Sequence, residues 1–281
     1  MSGGMRRKVG IVGCSNGRTE SFRMELERLI EALREKGFEA VCSPHLFARR
    51  SVYSAGGRER AEALMQFYLD DAIEEIFDVS GGDIANEILP YLDFDYIARA
   101  PKTFWGYSDL TCVLNAIYAK TGRSSVLYQI CNLIGEDADG QRSRFDSTEL
   151  FRFDCRFLRG SRMEGPVVGG NIRCLLKLAG TPYWPETRGC ILLLEGLNTT
   201  VAQAAAQIAQ LEQLGALDNA AGVLLGTFTR MEARGDSPDF AELLLDRLGA
   251  GKPLARTRQI GHGADSRAVR IGERLILERE E

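Results

Sequence analysis

The sequence predicts an α/β protein whose first half is built on a parallel sheet. Three observations carry that reading. Short β-branched runs, Val9 to Val12 and Ala40-Val41-Cys42, flank a helical pattern with Phe22, Leu26, Leu29, Ile30 and Leu33 on one face. This is a β-α-β unit, which requires parallel strands. The same alternation of apolar runs and 3.6-residue periodicity continues to about residue 130. Residues 135 to 165 then turn polar and charged, with Gly135, Gly140, Gly160 and Gly165 as breaks, before a second set of strands and helices begins.

Taken in order, the first helix stops at Lys36-Gly37. Glu59 to Phe77 is the strongest helical stretch, striped by Leu64, Met65, Tyr68, Leu69, Ala72, Ile73 and Ile76. Asp78-Val79-Ser80 reads as a brief strand entering Gly81-Gly82-Asp83. An aromatic strand around Phe104-Trp105 runs into Gly106-Tyr107-Ser108-Asp109, and a helix starts at once with Leu110, Val113, Leu114, Ile117 and Tyr118. Thr121-Gly122 ends it, and Ser125 to Ile130 is the next strand. The expected organisation is an N-terminal α/β domain over 1–135, a linker or crossover over 136–165 with some strand at Leu150 to Phe157, and a C-terminal domain over 166–281. The last contains strand Cys190 to Leu194, helix Val201 to Leu214, strand Gly222 to Phe228, helix Asp239 to Leu248 and strand Leu254 to Ile260. Its tail, Arg267 to Leu277, alternates like a hairpin around Gly272-Glu273.

Composition narrows the function. A chain of 281 residues suggests two domains at roughly 100–200 residues each. The net charge of -4 gives no electrostatic case for a nucleic acid polymer or an anionic membrane. No apolar run approaches the roughly 20 residues of a membrane span, and the opening MSGGMRRKVGIVGC does not read as a secretory signal. The seven widely spaced cysteines, with no CxxC pair, read as free thiols in a reducing cytoplasm. With only His45 and His262 present, no metal site is expected.

Two serines sit where an α/β enzyme places a nucleophile. Gly13-Cys14-Ser15-Asn16-Gly17 matches G-x-S-x-G between a strand and a helix. A glycine-rich first turn is also a structural or phosphate-facing device, although the full dinucleotide fingerprint and a Walker lysine are absent. By local pattern Ser108 reads first as a helix cap, and the same geometry suits a nucleophile whose oxyanion meets the helix-start N–H of Asp109. A serine nucleophile needs a base. His45 follows Pro44 in a loop, whereas His262 lies between Gly261 and Gly263 directly after a strand. Glu195 ends an apolar strand, where a charge is costly unless exposed or paired, so it is a candidate to orient the base. Gly81-Gly82 offers a further oxyanion N–H or is simply a strand-ending turn.

These residues resemble a known family. The run Gly81-Gly82-Asp83, Asn86, Leu89-Pro90-Tyr91-Leu92-Asp93, Pro101-Lys102, Gly106-Tyr107-Ser108-Asp109, Thr111 and Tyr118 to Gly122 is similar to the LD-carboxypeptidase family of serine peptidases. Downstream, Gly169-Gly170-Asn171, Leu178 to Tyr183, Leu193-Leu194-Glu195, Gly222 to Phe228 and Gly261-His262-Gly263 follow in the family's order. The resemblance implies a Rossmann-like, glutamine-amidotransferase-like parallel-sheet domain, a smaller β-rich C-terminal domain and a homodimer. It implies Ser108 as nucleophile, His262 as base, Glu195 as acid, and an oxyanion hole from the N–H groups of Asp109 and Gly82. No organic cofactor is implied. Gly81, Asp83 and Trp184 are the expected substrate-binding residues, although Trp184 reads more readily as a partly buried loop aromatic.

The substrates implied are murein tetrapeptides ending in D-alanine, or peptidyl and aminoacyl nucleotides cleaved at an amide. Gly-Gly-Asp with Asn86 looks closer to the microcin C immunity (MccF-like) branch, and Glu87 stands where the murein enzymes more often carry arginine. Two segments depart from the family pattern, Tyr128-Gln129-Ile130-Cys131-Asn132 and Gly196-Leu197-Asn198-Thr199-Thr200. The expected activity is serine-dependent hydrolysis of a peptide or amide bond. The rival expectations are a non-catalytic small-molecule binding module on the same frame, and a nucleotide-dependent enzyme using the Gly13–Gly17 loop.

Overall fold

The computed structural model describes residues 6–279, so the first five residues of the stretch read as lacking a leader lie outside it. Two six-stranded sheets form the protein. The first contains β1 (Arg7–Val12), β2 (Phe38–Cys42), β3 (Ile73–Asp78), β4 (Thr103–Gly106), β5 (Ser125–Leu127) and β11 (Val269–Ile271), in the order β11-β5-β4-β3-β1-β2. Its five leading strands are parallel, and β11 closes one edge antiparallel to β5. The second contains β6 (Arg156–Arg159), β7 (Arg162–Asn171), β8 (Ile191–Gly196), β9 (Gly222–Phe228), β10 (Leu254–Arg256) and β12 (Arg274–Glu278), in the order β12-β7-β8-β9-β10-β6. Strands β7 to β10 run parallel, and the outermost pairs are antiparallel. The architecture is a parallel-sheet first half with a β-rich second half.

Helices α1 (Arg23–Glu35), α2 (Gly57–Leu69), α3 (Phe94–Arg99) and α4 (Thr111–Thr121) connect the first sheet. Helix α5 (Ala138–Phe145) leads to the second, which carries α6 (Ile172–Leu175), α7 (Val201–Gln213), α8 (Ala216–Asn219), α9 (Thr229–Arg234) and α10 (Phe240–Leu245). Every residue of β8 is buried, as expected of a central strand whose two faces are covered, and this is why it reads as an unbroken apolar run. Helix α7 begins with a reciprocal cap in which Thr200 and Gln203 satisfy each other's backbone N–H.

Several elements differ from expectation, each for an identifiable reason. The long helix over Glu59 to Phe77 stops at Leu69, and Ile73 and Ile76 belong to β3. The buried Lys102 ammonium takes the Phe67 and Asp70 carbonyls, and Asp70 Oδ1 accepts from Ala72 N at 2.9 Å, which turns the chain into the strand. The strands expected to reach Ile130 and Ile260 end at Leu127 and Arg256. Within 136–165, Thr148–Phe151 is a single tight turn rather than strand, while α5, β6 and the start of β7 are regular.

The tail is not a hairpin. Strand β11 pairs with β5 in the first sheet and β12 pairs with β7 in the second, so the chain crosses between sheets at Gly272. A second tie lies deeper. The Asn115 side chain of α4 donates to Gly169 O at 2.9 Å and accepts from Gly169 N at 2.8 Å, filling the ladder positions of β7 beyond the reach of β12. Asn171 N donates to Thr111 Oγ1 at 3.0 Å beside it. One apolar cluster runs through the seam, joining Leu110, Val113 and Ile117 to Val167, Leu193 and Leu224.

Candidate active site

The β4-α4 turn presents Ser108. Its φ is +54°, a left-handed conformation that costs a non-glycine residue roughly 1–2 kcal/mol. Neither Ser108 nor Asp109 caps the helix start. Asp109 is fully buried and its carboxylate is used elsewhere. It accepts from Ser15 Oγ at 2.6 Å and Ala85 N at 2.9 Å, and it pairs with Lys177. The cap that the sequence allows at Ser108 is therefore not formed.

One residue of the second half meets this serine, and a second backs it. His262 Nε2 lies 3.3 Å from Ser108 Oγ, a long hydrogen bond of the kind common in unliganded sites. On the other side of the ring, Nδ1 lies 2.9 Å from Glu195 Oε2, although the N–H is not aligned along that line. Glu195 is fully buried at a register shift between β8 and β9. Gly261 holds a φ of +155° with Thr227 packed so closely that a side chain there would overlap it, so the histidine loop needs glycine at this point. The Tyr107 ring stands edge-on to the imidazole, with centroids 5.0 Å apart. Burial above all, and then the neighbouring Glu195, push its phenol well above the ordinary tyrosine range.

The Gly81–Asp83 turn faces the same space. Gly82 has a φ of +126°, and a Cβ there would overlap the Asn16 side chain. Asn16 N donates to Gly81 O at 3.2 Å, and Asp83 N donates to Asn16 Oδ1 at 3.0 Å. The Gly82 and Asp109 N–H groups donate to no other group among the described residues. Ser15 is fully buried and its hydroxyl is spent on Asp109. His45 lies apart from this constellation, its backbone packed against Gly13.

Profiles of the LD-carboxypeptidase N-terminal domain and C-terminal domain match residues 9–128 and 164–277. The chain belongs to the LD-carboxypeptidase family. It is a serine peptidase by that membership. It is 29% identical to the probable murein peptide carboxypeptidase of Bacillus subtilis, covering 90% of this chain and 84% of that protein. It is 24% identical to the microcin C7 self-immunity protein MccF of Escherichia coli, covering 96% and 90%. The fold superposes on MccF in complex with glutamyl sulfamoyl guanosine with a TM-score of 0.88 at 23% identity, over 98% of this chain and 94% of that one. For the muramoyltetrapeptide carboxypeptidase of Oxalobacter formigenes the TM-score is 0.82 at 23% identity, over 97% and 95%.

In this LD-carboxypeptidase family member a pocket of about 250 Å³ opens at Ser108. Its walls include Asp83 and Arg173, Asn171, and the Leu197-Asn198-Thr199 segment that departs from the family pattern. Gln203 and Gln207, one turn apart on α7, complete it. The expectation for Asp83 thus places it in the pocket wall, while Gly81 serves through its carbonyl to Asn16. Trp184 packs partly buried against the two apolar clusters and is not among the lining residues. Arg173, Gln203 and Gln207 were not singled out by sequence. The cations Arg173 and Lys177, four residues apart just after the Gly169-Gly170-Asn171 run, are the one signal that could have found part of this wall.

Proposed function

We propose that the protein hydrolyses an amide bond by a Ser108–His262–Glu195 triad. The observation that carries this is one imidazole reaching both partners, with Nε2 3.3 Å from Ser108 Oγ and Nδ1 2.9 Å from Glu195 Oε2. His262 takes the Ser108 proton at Nε2 as Oγ attacks the carbonyl, and Glu195 stabilises the resulting imidazolium at Nδ1. The N–H groups of Gly82 and Asp109 hold the tetrahedral oxyanion. His262 then protonates the leaving amine, and water attacks the acyl-serine by the same route in reverse.

The substrate class is a small peptide or a peptidyl or aminoacyl nucleotide. Support comes from the pocket at Ser108, lined by carboxamides and one arginine, and from the likeness to MccF, solved with glutamyl sulfamoyl guanosine. A murein tetrapeptide ending in D-alanine is the second reading, favoured by the murein peptide carboxypeptidase relative. Among the described residues no helix is long and apolar enough to cross a membrane. We place the enzyme in the cytoplasm and read it as a homodimer; light scattering of the purified protein tests the dimer.

The deciding experiment combines a fluorophosphonate label with a mass-spectrometric panel of murein tetrapeptides, aminoacyl sulfamoyl-adenosines and generic dipeptides. Stoichiometric labelling at Ser108 and cleavage that disappears in Ser108→Ala are expected. A folded wild type that neither labels nor cleaves any member points to the binding-module rival and overturns the triad.

A further inference from the structure

The donor that a serine hydrolase needs at Gly82 is a single backbone N–H on a flexible residue. Its direction depends on the two peptide planes flanking Gly82, and both are held. The Gly81–Gly82 plane, which carries the Gly82 N–H, is tied at its carbonyl by Asn16 N at 3.2 Å. A trans peptide points its N–H opposite its carbonyl, so this tie aims the Gly82 N–H away from Asn16. The Gly82–Asp83 plane is tied at both ends. Its N–H donates to Asn16 Oδ1 at 3.0 Å, and its carbonyl accepts from Arg173 Nη2 at 3.0 Å.

Arg173 comes from the other half of the chain, on α6 directly after β7. Its second nitrogen pairs with the Asp83 carboxylate. Lys177, four residues on, donates to the Asp83 carbonyl at 2.7 Å and pairs with the buried Asp109 carboxylate. Thus three successive groups of the turn, the Gly82 carbonyl, the Asp83 carboxylate and the Asp83 carbonyl, are gripped by two cations, Arg173 of α6 and Lys177 of the tight turn Leu176–Leu178 that follows it. Lys177 also reaches Asp109, whose own N–H is the other oxyanion donor.

We propose that Asn16 and Arg173 are positioning residues that set the direction of the Gly82 N–H, with Lys177 locking that turn to the residue after the nucleophile. This gives the Gly13–Gly17 turn a role in the serine chemistry, in place of phosphate binding. It also makes the oxyanion hole a product of both halves. The inference rests on the hydrolase reading above.

Arg173 also lines the pocket, so the test must separate positioning from substrate contact. A small alkyl fluorophosphonate has no peptide to bind, yet its reaction with Ser108 develops charge on a phosphoryl oxygen in the same hole. Arg173→Ala and Asn16→Ala are expected to slow phosphonylation about 30-fold or more, a part of what losing one oxyanion donor costs. On the cleaved substrate kcat falls by a similar factor while KM stays within about threefold. Arg173→Lys, which can still reach a carbonyl, recovers most of the rate. Arg173 and Asp83 are 47% and 67% exposed, so the alanine variant leaves no buried charge and is expected to fold. Should it not unfold cooperatively, Arg173→Met keeps the stem and replaces it. A variant that labels at the wild-type rate but raises KM assigns Arg173 to substrate binding and overturns the proposal. A wild type that neither labels nor cleaves fails the hydrolase reading itself, which is a different result.

Discussion

The Gly13–Gly17 turn and the Gly106–Asp109 turn are built alike. Each follows a parallel strand of the first sheet, each precedes a helix, and each carries a serine next to a polar residue. They end in opposite states. Ser15 is sealed, its hydroxyl bound to Asp109, and its neighbour Asn16 holds the Gly81–Asp83 turn. Ser108 is thrust outward by a positive φ and meets an imidazole from the second half. The difference lies in what surrounds each turn. The first is walled by the buried Asp78, Ser80 and Arg60, which consume its backbone groups. The second opens at the seam between the sheets. A motif at a strand end therefore supplies a serine, and tertiary context decides whether it faces an imidazole or is sealed as a brace.

Substitution at the two serines is the widest test of that contrast. Ser108→Ala is expected to lower kcat by about 10⁴-fold or more with little loss of stability. Ser15→Ala is expected to leave kcat within about tenfold. Comparable losses at both positions would break the comparison. Next in size, Glu195→Gln is expected to cost about 10²- to 10⁴-fold in kcat, because an amide facing Nδ1 no longer stabilises the imidazolium. An active Gln variant would remove Glu195 from the site.

A smaller effect sharpens the structural side. Ser15→Ala takes a donor from a buried carboxylate and should destabilise the fold by about 1–3 kcal/mol, read as a lower urea midpoint. The smallest effect concerns thiol chemistry within the sealed turn. Burial, helped by Asp78, pushes the Cys14 thiol well above its ordinary range, and burial holds Cys131 at about 11. A raised pKa means less thiolate at a given pH and slower modification. Native protein at pH 8 should therefore react first at the exposed Cys42, with Cys14 silent. Cys131 should gain about tenfold in rate per pH unit until near 11. Fast labelling of Cys14 in the folded state would show that its turn is open.

Much of this was legible in the residues. The β-α-β start, the strand-turn-helix at Ser108 and the apolar strand carrying Glu195 follow from local period and turn chemistry. The scarcity of histidine left two candidates for a base. What local rules missed was non-local. Ile73 and Ile76 satisfy a helical stripe as well as a strand, and Lys102, remote in sequence, takes the carbonyls at the helix end before them while Asp70 turns the chain locally. The tail alternates like a hairpin because each strand has one buried face, but the partners are β5 and β7. Capping by Ser108 was a sound local expectation, but the residue takes a positive φ and its hydroxyl meets His262 from the other half of the chain. Arg173 belongs to the same class, since its meaning depends on a turn 90 residues earlier.

The amide of Asn115 that fills the β7 ladder has a consequence for motion. Swinging the two sheets apart would strip Gly169 of both its bonds, break Thr111 from Asn171 and tear the tail from one sheet or the other. Each lost buried bond costs on the order of 1–3 kcal/mol, so such an excursion approaches the cost of unfolding. The enzyme thus has no clamshell cycle available to it. In the pocket wall Leu197 and Asn198 are exposed and Thr199 is buried, so hydrogen exchange is expected to be faster at Leu197 and Asn198 than at Gly169, which stays protected.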